Sequence, residues 1–313
     1  MTGVQTCALP IYLSVEIAGL SFKNPILTAS GTCGYGEELA DIFDLSHLGG
    51  IVTKTITMKP RDGHPSPRTA ETCSGMLNAI GLANVGVDKF VEEKLTYLEK
   101  FDTRVVVNVA GTCTNDYVNL CARLDEYPRA DIVELNFSCP NVDVGMEIAT
   151  NAKLAEETVS KVKKVFSRPV IAKLSPNVTS IADIAVACEN GGADAVSLIN
   201  TLVGMAVDIN TFRPRLTNNT GGLSGPAIKP VALACVYKVY KAVKIPIIGI
   251  GGISNYSDVI EFFLCGASAV QIGTTLFVEP DAPVKIVKDL KKYLLKNKIK
   301  SIRELTGKVR IYK

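Results

Sequence analysis

The stretch IIGIGGISNYSDVIEFFLCGASAVQIGTT, residues 247–275, contains one complete unit of the fold. Ile247–Ile250 is a short apolar run that ends in Gly251-Gly252. A helical stretch, Ser257–Cys265, follows. A second run, Ala269–Ile272, ends in Gly273-Thr274-Thr275. Short runs without polar alternation read as parallel strands covered on both faces. The same pattern recurs outward along the chain, with runs at Pro25–Ala29, Gly50–Thr53, Val105–Val109, Ile132–Leu135, Val170–Leu174 and Ala195–Ile199, all read as apolar throughout. Helical spacing predicts Asp116–Leu124, Asn151–Val165, Ile181–Asn190, Ile228–Ala242 and Ala282–Leu294. Eight strand–helix units predict an α/β fold, a (β/α)₈ TIM barrel. A doubly wound open sheet is the runner-up, disfavoured because no G-x-G-x-x-G turn follows a strand.

Composition narrows the function. Lys and Arg number 34 against 31 Asp and Glu, a net charge of +3, too small for a nucleic-acid footprint. With 47% hydrophobic and 21% charged residues the chain is globular rather than disordered. No apolar run approaches the ~18 residues a membrane helix needs. Nine scattered cysteines without a C-x-x-C pair predict free thiols in a reducing, cytoplasmic setting. Two histidines, His47 and His64, cannot assemble a multi-histidine metal centre, and no metal site is expected.

Four segments depart from the repeat, and a fifth stands out by composition alone. Residues 1–12 read as a disordered or foreign extension, so the barrel domain is expected over 13–313. Leu13–Asn24 alternates around a glycine turn and predicts a β-hairpin on the barrel's lower end. Lys59–Val87 and Thr201–Ser224 are long loop insertions after the second and sixth strands. The first, rich in Pro, Gly, Asn and Thr, is expected to be irregular and to cover a ligand. The Lys-rich stretch Lys285–Lys313 reads as a solvated helix face.

In such a barrel the chemistry sits at the C-terminal ends of the strands. Those ends carry Ser30, Lys54 with Thr55, Asn108, Asn136, Lys173, Asn200 with Thr201, Gly251 with Gly252, and Gly273 with Thr274. Lys54 and Lys173 follow their runs directly. Two partly buried cations without partners would be costly, so they imply an anionic ligand. The glycine turns after the seventh and eighth strands predict a phosphate held by backbone N–H groups. Cys139, after the fourth strand, lies at the rim and is a candidate nucleophile or general base, while Cys188, Cys235 and Cys265 fall in helical, core positions. Asn78, Asn136 and Asn200 offer amide donors and acceptors suited to a planar heterocycle.

The segments VTKT (52–55), PRDG (60–63), NAIGL (78–82), ELNFSCPN (134–141), AKLSPN (172–177), GLSGP (222–226) and GIGGI (249–253) stand in this order along the chain. Together they resemble the dihydroorotate dehydrogenase family over nearly all of Leu13–Lys313. The resemblance implies oxidation of (S)-dihydroorotate to orotate in pyrimidine biosynthesis, with FMN as cofactor. It implies catalytic roles for Cys139, as the base at C5, and Lys173. It implies that FMN contacts Ser30, Lys54, Thr55, Asn108, Asn136, Lys173, Ile199, Gly225, Gly251, Gly252, Gly273 and Thr274. It implies that substrate contacts Lys54, Asn78, Ala79, Ile80, Gly81, Leu82, Asn136, Asn200 and Thr201. A cysteine base is similar to the soluble class 1 enzymes. The Asn-Ala-Ile-Gly-Leu loop resembles subclass 1B, a catalytic subunit built as a homodimer within a heterotetramer. Its iron–sulfur flavoprotein partner would carry FAD and a [2Fe–2S] cluster and pass electrons to NAD⁺. The fumarate-using subclass 1A and a dihydropyrimidine dehydrogenase-like flavoprotein are the enzymatic alternatives. A phosphate-binding sensor and an aldolase using Lys173 as a Schiff base are the others.

Overall fold

A computed structural model describes residues 11–137 and 145–312. Its centre is a closed barrel of eight parallel strands: β1 (Ile26–Thr28), β2 (Gly50–Val52), β3 (Arg104–Val109), β4 (Ile132–Asn136), β5 (Val170–Lys173), β6 (Ala195–Leu198), β7 (Ile247–Ile250) and β8 (Ala269–Ile272). Each strand pairs with its neighbours in the sequence. The pairs Val270–Ile26, Gln271–Leu27 and Ile272–Thr28 close β8 onto β1. A helix stands outside each strand. These are α1 (Glu37–Ala40), α2 (87–98, with a π-helical middle), α3 (Thr114–Asp125), α4 (Ala152–Lys163), α5 (Ile181–Asn190), α6 (Lys229–Tyr240), α7 (Tyr256–Cys265) and α8 (Ala282–Lys296). A short helix, Gly145–Thr150, precedes α4. The expected (β/α)₈ architecture is therefore the one observed, with strand ends within about a residue of the predicted runs.

Local chemistry fixes the helix ends. At α7, Asn255 Oδ1 accepts from the N–H groups of Ser257 and Asp258, and the Asp258 carboxylate accepts from Asn255 N–H. This reciprocal capping box satisfies donors that the first turn leaves unpaired. Gly266, at φ 117°, ends the same helix in a conformation a Cβ would disfavour.

The predicted hairpin is present as Val15–Ile17 paired with Leu20–Phe22 around Ala18-Gly19, both at positive φ. Ile17 and Phe22 are fully buried. Arg104 Nε, at the start of β3, donates to Ser21 O at 3.1 Å, which seats the hairpin under the N-terminal end of the barrel. Tyr12, the last residue of the expected extension, pairs with Ser301; residues 1–10 lie outside the described residues.

Three expectations are corrected. The first insertion is not irregular. Thr69–Thr72 and Gly75–Asn78 from the first combine with Leu202–Gly204 and Gly221–Ser224 from the second into a four-stranded antiparallel sheet above the barrel mouth. Cys188 is buried, but Cys235 and Cys265 are only half-buried. The strands are not apolar throughout: Asn108, Glu134, Lys173, Ser197 and Gln271 are all buried within them.

Candidate active site

The C-terminal ends of the strands and the four-stranded sheet enclose a cavity of about 320 Å³. That size suits a small-molecule site. Its walls fall into a floor, a cradle and a lid.

The floor is made by the barrel. Strand periodicity of two places Glu134 and Asn136 on the same side of β4, one layer apart. Glu134 is fully buried, and its carboxylate accepts from Asn108 Nδ2 at 2.6 Å, Ser197 Oγ at 2.7 Å and Gln271 Nε2 at 2.6 Å. Lys173 Nζ lies 3.8 Å from the same carboxylate, with its side chain 5% exposed. Above this layer Asn136 Nδ2 donates to Thr55 Oγ1 and to Asn108 Oδ1, each at 3.4 Å. Thr55 Oγ1 donates to Asn108 Oδ1 at 2.5 Å, and Ser30 Oγ lies 3.2 Å from Thr55 Oγ1. Lys173, Asn136, Thr55 and Ser30 line the cavity, while Asn108 stands beneath it and holds Thr55 and Asn136.

The cradle is made by the glycine turns. Gly251 and Gly252 follow β7 at φ 125° and 71°. A Cβ on Gly252 would sit 2.8 Å from Lys229 Cβ and 2.9 Å from Gly225 O, so only glycine lets these turns pack. No described backbone carbonyl takes up the N–H groups of Gly251, Gly252 and Gly273. Thr274 Oγ1 donates to Ser224 Oγ at 2.8 Å, tying the cradle to the edge of the lid. Gly225, Gly251, Gly252, Gly273 and Thr274 all face the cavity, which is the donor chemistry a phosphate group needs.

The side of the cavity facing the lid carries the second lysine, Lys54, which follows β2. Lys54, Arg68, Asn78, Ile80, Gly81, Leu82, Asn200 and Thr201 line this side. Lys54 is half-buried, and its ammonium is held below the ordinary lysine range, first by burial and then by the like charge of Arg68; Glu38 opposes the shift. Asn200 Nδ2 donates to Asn136 Oδ1 at 3.4 Å, and Asn78 Nδ2 donates to Gly222 O at 3.3 Å. The three asparagines therefore converge on one cavity.

Most sequence-expected site residues line this cavity, Ile199 included. Asn108 and Ala79 do not: Ala79 is fully buried beneath the lid sheet with Leu77 and Leu216. Cys139 lies outside the described residues. The argument from two unpartnered cations holds for Lys54 alone, because Glu134 supplies the counter-charge of Lys173. Three contributors escaped the sequence reading. Glu134 had a signal, a carboxylate inside a strand that must find partners. Arg68 had a weaker one, a cation inside the covering insertion. Ser224 had none.

Fold and cavity together define a (β/α)₈ barrel with a ligand mouth at its C-terminal face. Residues 12–294 match the dihydroorotate dehydrogenase family. The chain is 51% identical over 296 residues to a protein of Citrifermentans bemidjiense, covering 94% of this chain and 97% of the relative. It is 51% identical over 300 residues to one of Geobacter metallireducens, covering 96% and 98%. It is 49% identical over 300 residues to one of Bacteroides thetaiotaomicron, covering 96% and 99%. Each of the three is named dihydroorotate dehydrogenase B (NAD(+)), catalytic subunit. The chain belongs to the dihydroorotate dehydrogenase family.

Proposed function

We propose that this chain is the catalytic subunit of an FMN-dependent dihydroorotate dehydrogenase, oxidising (S)-dihydroorotate to orotate with NAD⁺ as the final acceptor. The observation that carries the reading is the pairing of a phosphate-type glycine cradle with a cationic lid across one cavity. Gly225, Gly251, Gly252, Gly273 and Thr274 would hold the FMN phosphate, and Ser30, Thr55, Asn136 and Ile199 its ring. Bound FMN supplies a two-electron acceptor for the C6 hydride of the substrate.

The protein's own groups do the rest. Lys54 and Arg68 would bind the substrate carboxylate, and Asn78, Asn136, Asn200 and Thr201 would read the edges of the pyrimidine ring. Ile80, Gly81 and Leu82 would close over it and exclude water. Lys173 sets a fixed positive charge where the reaction deposits electrons, preorganised electrostatics of the kind worth a few kcal/mol. The base is Cys139 by family resemblance, removing the proton at C5 as thiolate. The paired cations of the lid favour a carboxylate-bearing substrate over a neutral dihydropyrimidine.

The relatives' name, catalytic subunit, supports a partner. We assign it FAD and a [2Fe–2S] cluster, in a cytoplasmic heterotetramer built on a homodimer of this chain. Anaerobic addition of dihydroorotate to the purified yellow protein tests the reading. Bleaching of the flavin with stoichiometric orotate is expected. Bleaching by dihydrouracil but not dihydroorotate overturns the substrate, and rapid turnover with fumarate by the barrel alone overturns the NAD⁺ route.

A further inference from the structure

We infer that Glu134 is a positioning residue that sets the charge Lys173 presents to the cavity, and through it the balance between oxidised and reduced flavin. The inference rests on the reading above that FMN lies against Lys173. A carboxylate sealed inside a barrel strand is expensive unless its oxygens are saturated and its charge is balanced. Both conditions are met here. Asn108, Ser197 and Gln271 direct three N–H or O–H donors at the carboxylate from β3, β6 and β8. An acceptor-only group surrounded by donors is the ionised form. Those three donors are neutral, and Lys173 is the cation that lies within ion-pair distance.

The separation decides the role. At 3.8 Å the two charges attract but share no hydrogen bond, so none of the Lys173 N–H donors is spent on Glu134. The ammonium keeps its donors for the cavity it lines, while its charge is already partly offset from below. A lone buried lysine would favour the reduced, more anionic flavin strongly. A lysine with a fixed counter-ion favours it less, which leaves the electrons easier to pass on. A purely structural role for Glu134, as a clasp between strands, would not couple to Lys173 in this way.

A double-mutant cycle on the flavin-loaded protein tests this, read as flavin midpoint potential by anaerobic dye equilibration. Glu134→Gln keeps the shape and removes the charge. It should favour reduced over oxidised flavin by about tenfold, the scale of one unit charge a few ångströms further off at an effective dielectric near 20. That fold-change corresponds to about 30 mV upward for a two-electron couple. Lys173→Gln should lower the potential, and Glu134→Gln added to it should then change little, because a buried carboxylate left without its cation takes up a proton and is already neutral. The same cycle on thermal unfolding of the flavin-free protein should show the two residues coupled. Where Glu134→Gln does not fold, Glu134→Asp withdraws the carboxylate by one methylene, and a smaller upward shift is expected.

An unmoved potential in a folded charge-altered variant overturns the inference. So does an equal shift with and without Lys173. A protein that binds flavin but whose potential ignores Lys173→Gln overturns instead the underlying placement of FMN against Lys173.

Discussion

The floor of the cavity and the side that faces the lid each hold a lysine, and the two are built in opposite senses. Lys173 is 5% exposed, stands 3.8 Å from a fully buried carboxylate, and is held in a layer where every neighbour is hydrogen-bonded. Lys54 is half-buried, and the charge that bears on it most is another cation, Arg68. The first lysine is balanced before any ligand arrives. The second is unbalanced until an anion arrives. The difference teaches which part of a site is permanent equipment and which part waits for a transient visitor. A resident group suits a neutralised floor, and a substrate carboxylate suits a lid with charge to spare.

The largest expected effect breaks this contrast at the level of stability. Lys173→Met strands Glu134 as an unpaired buried charge and should cost roughly 3–5 kcal/mol in chemical denaturation of the flavin-free protein. Lys54→Met removes a strained cation and should stay within about 0.5 kcal/mol or stabilise. Equal losses would show that the two lysines are held alike.

Next in size is ligand recognition. Lys54→Met should weaken orotate binding by about 2 kcal/mol, roughly 30-fold, measured by calorimetry. A smaller loss, about fivefold, is expected for Arg68→Gln, which keeps Lys54 in place. Wild-type affinity in both variants would take the carboxylate away from the lid.

The smallest effect is a pH dependence. Lys54 in the free protein loses its proton below the ordinary lysine range, so orotate affinity should begin to fall at a pH lower than a normal lysine predicts. Lys54→Met should flatten that alkaline limb, and Arg68→Gln should move it to higher pH by removing the like charge. The sign for the ligand-free fold is opposite. In that window the unfolded chain holds the Lys54 proton longer than the native chain, so this residue's contribution to stability rises with pH.

Much of the barrel was legible because each of its strands is local. Ile247–Ile250 and Ala269–Ile272 could be bounded from their own residues, and the observed ends agree. The lid sheet was not legible. Asn78 pairs with Gly222 across more than a hundred intervening residues, and Thr69–Thr72 and Gly221–Ser224 are short, with Ala70 and Leu223 their only apolar side chains, too few to mark a strand. Such pairing is decided by the closed barrel that brings the two loops together, which no local window contains. At the site, the strand-end rule located Lys54, Asn136, Asn200 and the glycine turns, because position along a strand is readable. Partnership is not. Nothing local to Lys173 says that a carboxylate from β4 stands beside it, and so the lysine was read as waiting for a ligand.

The four-stranded sheet has a consequence for engineering. Each insertion supplies two adjacent strands, and the two pairs meet at one seam where Met76–Asn78 lies against Gly222–Ser224, so each half is the template for the other. Grafting one insertion from a distant barrel would leave a sheet with a mismatched seam, whereas moving both together would transplant an intact recognition cassette onto a foreign flavin barrel.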